Sequence, residues 1–347
     1  MSPFAITIMT FSLGMGTMLT FASSHSILAW MGLEMTTLAI IPMMAQPKQA
    51  RPTEAAVKYF LIQAAGAATF LFAAMTNAWL TGLWDIQHMT HPLPVALLII
   101  ALSLKIGLAP LHTWMPEVLQ GLELTTGLLM ATWQKLAPFA LLLQIYPQHS
   151  HLLASLGLLS TLVGGWGALN QNQLRKVLAY SSIAHLGWIL LVLQFSNALA
   201  LLTLFMYLIM TFSTFLAFKL VYATHVNALA SSWTKVPALT ALLPLVLLSL
   251  GGLPPLSGFM PKWLILQELT KQDLAPIATL AALTALLSLY FYLRLAYAIS
   301  LTMYPNYPAA SAPWRHLSEQ LTMPLTVSAI ATVMLLPLAP TILTTLI

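Results

Sequence analysis

Apolar residues run along this chain in blocks of about 20, separated by short polar or charged intervals, over nearly its whole length. A helix of that length crosses the ~30 Å hydrocarbon layer of a bilayer. The pattern predicts about eleven transmembrane helices, at residues 3–23, 25–45, 56–80, 94–119, 123–146, 151–169, 174–194, 198–223, 237–268, 275–303 and 322–346. Two blocks are long and interrupted, the fourth at "GLAP" from Gly107 to Pro110 and the ninth at "GGLPPLSG" from Gly251 to Gly258. The largest polar interval, "YPNYPAASAPWRHLSEQ", precedes the last block. The expected fold is an all-α polytopic membrane protein, one transmembrane domain over residues 1–347 with no soluble domain.

Composition agrees. Only 6% of residues are charged and 59% are hydrophobic, with a mean hydropathy of +0.86; soluble domains carry about 25% charged residues. A soluble chain could not hide so much apolar surface. The chain has no cysteine, which removes disulfides, thiolate ligation of iron–sulfur clusters and thiol catalysis. The start, "MSPFAITIMTFSLGMGTMLTF", has neither a basic n-region nor an Arg-rich amphipathic stretch, so a retained first span is expected. The net charge of +5 does not point to nucleic acid, because the basic residues are scattered and sit mostly at span ends. There they report orientation. Lys48, Arg51, Arg175, Lys176, Lys235 and Arg315 fall on the side of the N-terminus, and only Lys271 on the other. That bias puts the N-terminus on the cytoplasm-equivalent side and, with eleven spans, the C-terminus opposite.

The two interrupted blocks echo each other. "GLAPLHTWMPE" from Gly107 and "GLPPLSGFMPK" from Gly252 align without a gap, sharing Gly, Leu, Pro, Leu, Met and Pro at an offset of 145 residues. Five spans separate them, and an odd number reverses direction across the membrane, as in an inverted-topology repeat. The expected halves are residues 1–146 and 151–303, each with five helices of which one is broken, followed by an extra C-terminal helix at 322–346. Gly107 and Gly252 permit unusual dihedrals, and Pro110, Pro254 and Pro255 remove helical donors. Such breaks persist at membrane depth only where protein or water satisfies the freed backbone.

Four charges cannot be end anchors. Glu34 lies near the middle of the second block, Lys105 just before the first break, Lys135 in the fifth block, and Lys262 after the second break. Each costs ~2.5–3.5 kcal/mol at mid-bilayer, so a polar interior is expected around them. Structural ion pairing is the plain alternative for Glu34 with Lys105; it explains Lys135 and Lys262 poorly, since no further central acid is available. All three central cations are lysines, which can lose a proton where arginine cannot. The residues therefore suggest proton transfer. His112, beyond the first break, and His185, mid-span in "AYSSIAHLGW", are candidate relays, with a packing role the equal alternative for each. No histidine spacing suits a metal or paired haem ligation, and no GxGxxG or P-loop suits a nucleotide, so no cofactor site is expected in this chain. A stand-alone cation/proton antiporter and a purely structural membrane subunit are the rival readings.

Five ordered stretches carry a resemblance: "LAWMGLEMTTLAIIPMM", "KYFLIQAAGAATFLFAAMTNAW", "LKIGLAPLHTWMPEVLQGLELTTGLLMATWQKLAP", "VGGWGALNQNQLRKVLAYSSIAHLGW" and "GLPPLSGFMPKWLILQELTKQ". Together they resemble the subunit 2 family of respiratory complex I, antiporter-like membrane subunits of NADH dehydrogenase, in the vertebrate form. The resemblance runs nearly end to end. It implies a multi-pass protein of the inner mitochondrial membrane, N-terminus in the matrix and C-terminus on the intermembrane-space side. It implies a complex that passes electrons from NADH to ubiquinone and pumps protons, with flavin (FMN) and iron–sulfur clusters on other subunits. Partners would be the other complex I subunits and lipids such as cardiolipin. In that family's terms Glu34 resembles the essential membrane glutamate, Lys105 its partner, Lys135 the central bridging lysine and Lys262 the lysine of the second broken helix.

Overall fold

The computed structural model describes residues 2–46, 49–145, 150–234, 236–301 and 322–346, and every regular element among them is helical. Of the residues used above for orientation, Lys48, Lys235 and Arg315 lie outside the described residues. The chain divides into two compact units, Met1–Leu156 and Gly157–Ile347.

The first unit opens with α1 (Pro3–Ala22), which the Ser2 side chain caps by accepting from the Ala5 amide, with Pro3 preset at the first helical position. α1 packs on α2 (Ser26–Met44) through a crossing of two glycines. A Cβ on Gly16 would lie 2.9 Å from the Gly32 carbonyl oxygen, and one on Gly32 2.9 Å from that of Gly16. The backbones touch, as small residues allow in membrane helices. α3 (Ala50–Thr81) has 32 residues and is about 48 Å long at 1.5 Å per residue. It starts earlier than the apolar pattern predicts, because the charged turn holding Arg51, Glu54 and Lys58 continues the helix beyond the hydrocarbon layer. It ends at Gly82, left-handed at φ 74°.

The predicted fourth span is α4 (Pro92–Ile106), a non-helical turn, and α5 (Trp114–Gly121). The fifth was expected to be continuous and is not. α6 (Leu124–Ala131) and α7 (Trp133–Gln144) meet at a kink on Thr132, whose backbone sits at φ −111°, ψ −71°. The Thr132 hydroxyl donates back to the Leu128 carbonyl at 2.7 Å, a bond that bends helices. Pro138, one and a half turns on, removes the donor that would bind the Gln134 carbonyl. Lys135 thus lies mid-span in the first turn of a new helix, where a continuous helix was expected.

In α8 (Ser150–Ala168) the first unit gives way to the second. There α9 (Leu174–Leu193) and α10 (Asn197–Val221) are the most enclosed helices, and α14 (Ala275–Ser300) is peripheral. α8 approaches α9 closely: a Cβ on Gly164 would meet the Ala184 amide nitrogen at 2.6 Å. The short α11 (Val226–Ala230) leads to α12 (Pro237–Gly251), the second break, and α13 (Phe259–Lys271). α15 (Met323–Met334) and α16 (Ala339–Leu346) replace the single predicted last span, bent by 69° about Leu335. α15 is tied to the second break, where the buried Ser257 hydroxyl donates to the Thr332 carbonyl.

Seven of these helices are long and apolar enough to cross a membrane; the remaining predicted spans are each built from two helical pieces. The protein is membrane-embedded.

Candidate functional site

The two breaks have the same local backbone. α4 and α12 each have 15 residues, start with proline and end at a left-handed glycine, Gly107 at φ 83°, ψ 46° and Gly252 at φ 81°, ψ 44°. At 1.5 Å per residue each is about 22 Å long, short of the hydrocarbon thickness. Every corresponding residue is offset by 145, as the sequence echo requires. Both ends close as Schellman motifs. The Gly107 amide reaches the Leu104 carbonyl at 3.2 Å and the Leu108 amide that of Ser103 at 2.9 Å. The Gly252 amide reaches the Ser249 carbonyl at 3.0 Å and the Leu253 amide that of Leu248 at 3.3 Å.

A Schellman end leaves the last carbonyls of the helix unpaired, and buried ones need donors. At the first break side chains supply them. The Gln63 amide donates to the Lys105 carbonyl at 3.2 Å, and the Trp114 indole adds a second donor to the Leu104 carbonyl, also at 3.2 Å. The Lys135 ammonium donates to the Ile106 carbonyl. That carbonyl would bind the amide of residue 110 in an unbroken helix, and residue 110 is proline. At the second break the register-equivalent carbonyl is Gly251, and the Lys262 ammonium donates to it at 2.8 Å. Here both ordinary donors are missing, because residues 254 and 255 are prolines. Gly252 has a second reason to be glycine: a Cβ there would lie 2.9 Å from the Lys262 Cδ.

Lys105 belongs to the last turn of α4, where the helix dipole favours a cation. Its Nζ lies 3.6 Å from Glu34 Oε1, with its side chain 1% exposed and that of Glu34 23%. Both atoms are buried and make no hydrogen bond at that distance, so the pair is an ion pair held slightly open. The Thr37 hydroxyl donates to the Glu34 backbone carbonyl at 2.9 Å and reaches Oε2 at 3.4 Å. Lys135 is 2% exposed, and its second neighbour is the Met115 sulfur at 3.2 Å. Among the described residues no carboxylate lies in ion-pair range of Lys135.

Lys105 and Lys135 line one cavity of about 10 Å³, with Thr36, Tyr59, Gln63 and Gln134 supplying polar groups. That is room for about one water centre, and the lining offers the partners a buried water needs. Gln134 is held by donating to the Thr36 carbonyl at 3.1 Å, and the Tyr59 hydroxyl donates to its Oε1 at 3.5 Å. Glu34, Lys105 and Lys135, apart in sequence, are therefore brought together. His112 is half-buried in the turn after the break, with Nδ1 3.3 Å from the Pro110 carbonyl, and does not line this cavity.

In the second unit Lys262, on the first turn of α13, shares a cavity of about 20 Å³ with His185, Tyr207 and Thr203. The Tyr292 hydroxyl lies 3.5 Å from His185 Nε2, and the Tyr207 ring is 5.8 Å from the imidazole. His185 thus stands beside a lysine, as a relay would require. Tyr59, Gln63, Tyr207 and Tyr292 were missed in the sequence, where a tyrosine in a span carries no signal of its own. No group of three or more histidines, aspartates or glutamates among the described residues could hold a metal ion.

Comparison with known proteins places the chain as a whole. Residues 23–288 match the family described as NADH:quinone oxidoreductase/Mrp antiporter, TM, and residues 289–343 match NADH dehydrogenase subunit 2 C-terminus. NADH-ubiquinone oxidoreductase chain 2 of Tetraodon nigroviridis is 65% identical over 344 residues, covering 99% of each chain. That of Salmo salar is 63% identical over 347 residues, 100% of this chain and 99% of the relative. Among solved structures, a chain of respiratory complex I from Thermus thermophilus with bound Aureothin superposes with a TM-score of 0.87 at 30% identity. The match covers 100% of this chain and 81% of that one. A chain of the Mrp complex from Dietzia sp. DQ12-45-1b shares the fold, with a TM-score of 0.76 at 15% identity over 97% of this chain and 74% of that one. The chain belongs to the NADH-ubiquinone oxidoreductase chain 2 family, within the wider NADH:quinone oxidoreductase/Mrp antiporter membrane family.

Proposed function

We propose that this chain is a proton-translocating membrane subunit of NADH:ubiquinone oxidoreductase, with Glu34, Lys105, Lys135 and Lys262 carrying protons in series. It works in the inner mitochondrial membrane, N-terminus to the matrix and C-terminus to the intermembrane space. Its partners are the other subunits of respiratory complex I, with lipids such as cardiolipin around it. NADH, FMN, iron–sulfur clusters and ubiquinone are handled by those other subunits. Residues 1–146 and 151–303 act as inverted repeats, and 322–346 is an addition to them.

One observation carries this reading: Lys105, paired with Glu34, faces the same one-water cavity as Lys135, which has no acid in range among the described residues. A carboxylate stabilises a nearby ammonium, and burial without one destabilises it. When the Glu34–Lys105 attraction weakens, Lys105 gives up a proton, and a water in the shared cavity passes it towards Lys135. Lys262 and His185 perform the same exchange in their own cavity. His112, outside the first cavity, serves the water-facing side of the break. Moving each charge against the membrane potential takes ~2.3 kcal/mol per 100 mV. A local pair cannot supply that repeatedly, so the energy comes from electron transfer elsewhere in the complex.

The test is Lys135→Met in the assembled complex, with protons translocated per NADH oxidised as the readout. A fall in that ratio with assembly intact is expected. An unchanged ratio removes Lys135 from the path and favours a structural role. Exchange of cations for protons by the purified chain alone would favour a stand-alone antiporter.

A further inference from the structure

The contacts of Lys135 and Lys262 have a consequence beyond proton carriage. Both ammoniums donate to register-equivalent carbonyls, Ile106 and Gly251, although the two lysines themselves are not register-equivalent: Lys262 aligns with Glu117. Two unrelated positions have thus supplied the same group to the same backbone atom. In each case proline has removed the helical donor that would otherwise hold it. A buried carbonyl without a donor costs ~1–3 kcal/mol, unless water reaches it.

We propose that each lysine is the latch of its own break, its ammonium holding the half-helix end closed to water and its release letting water in. The idea rests on the proton-carrying reading and adds a direction to it. A loaded lysine sits on the carbonyl and closes the break. An unloaded amine is a weaker donor, since charge-assisted hydrogen bonds are roughly twice as strong as neutral ones. The carbonyl then turns to water, and the break hydrates. Access therefore opens to an empty carrier and shuts on a full one, which prevents a continuous proton leak. The charged and titratable groups facing the latches are Glu34, Lys105 and Tyr59 at the first, and His185, Tyr207 and Tyr292 at the second. At the second break the latch also lies across Gly252, within 3.0 Å of where a Cβ would stand.

Hydrogen–deuterium exchange of the assembled complex tests this, read at the amides of Gly252, Leu253, Leu256 and Ser257. Lys262→Met removes the donor, and Lys262→Arg keeps a donor that stays charged. Exchange should be about tenfold faster or more in the methionine variant, the size expected for a lost charged hydrogen bond, and no faster than wild type in the arginine variant. Unchanged exchange with methionine overturns the latch. Equally faster exchange in both variants overturns it too, because the side chain's packing and not its donor would then shape the break. The same pair at Lys135, read at Gly107 and Leu108, decides the matter independently if a Lys262 variant fails to assemble. Proton translocation measured alongside keeps the two claims apart. A methionine variant that still pumps removes that lysine from the proton path, whatever the exchange shows.

Discussion

Replacing Glu34 by glutamine removes the negative partner of Lys105 while keeping the side chain's size. At 3.6 Å and an effective dielectric near 20, the pair is worth about 4–5 kcal/mol of Coulomb energy. Glu34 is about a quarter exposed, and solvent screening reduces this to roughly 2–3 kcal/mol. The ion pair would then no longer set when Lys105 loads and unloads. Glu34→Gln in the assembled complex, returned to liposomes, should oxidise NADH at close to the normal uncoupled rate while translocating fewer protons per NADH. Glu34→Asp keeps the charge but withdraws it by one methylene. At ~5 Å the attraction drops by about a quarter, so this variant should pump at an intermediate ratio. A normal ratio in Glu34→Gln with normal assembly would refute the reasoning, since the pair would then be only a packing contact.

Other expectations follow from the same geometry. Gly252→Ala forces a Cβ into a left-handed backbone at φ 81° and against the Lys262 side chain. It should cost ~1–2 kcal/mol from the dihedral alone and lower proton translocation, read by thermal stability and pumping of the same preparation. Gly32→Val drives α1 off α2 at their backbone contact and should weaken assembly, seen as less complex on native gels, by an overpacking cost of ~1–3 kcal/mol. Tyr292→Phe deletes the hydroxyl beside His185. It should leave assembly unchanged and slow proton translocation modestly, and an equal loss of assembly would mean the tyrosine is structural.

Much of this arrangement was legible in the chain because it violates local rules. A charge inside an apolar block is expensive, so Glu34, Lys105, Lys135 and Lys262 stood out without any structure. The glycine and proline of each break act within a few residues, so both breaks and their offset of 145 could be read directly, and the structure adds the matching dihedrals of Gly107 and Gly252. The kink at Thr132 was not legible, because serines and threonines throughout these helices make the same bond back to their own backbone without a break. The bend at Leu335 was hidden by an apolar composition that suits a straight span equally well. What the ammoniums touch was out of reach. Lys135 meets the Ile106 carbonyl only because α7 packs against the end of α4, and nothing near residue 135 encodes that approach. The tyrosines around His185 come from α10 and α14, and a spanning helix uses such residues for many purposes. His112 shows the reverse case: its position beside a break suggested a relay, while the structure places it off the cavity that the lysines share.

The central claim is that the lysines inside the spans act in series. The direct measurement compares protons translocated per NADH oxidised in complexes carrying Lys135→Met, Lys262→Met and both together. Carriers in series predict the same loss in each single variant and no further loss in the double. Losses that add in the double variant, or a normal ratio in either single one, would contradict the account.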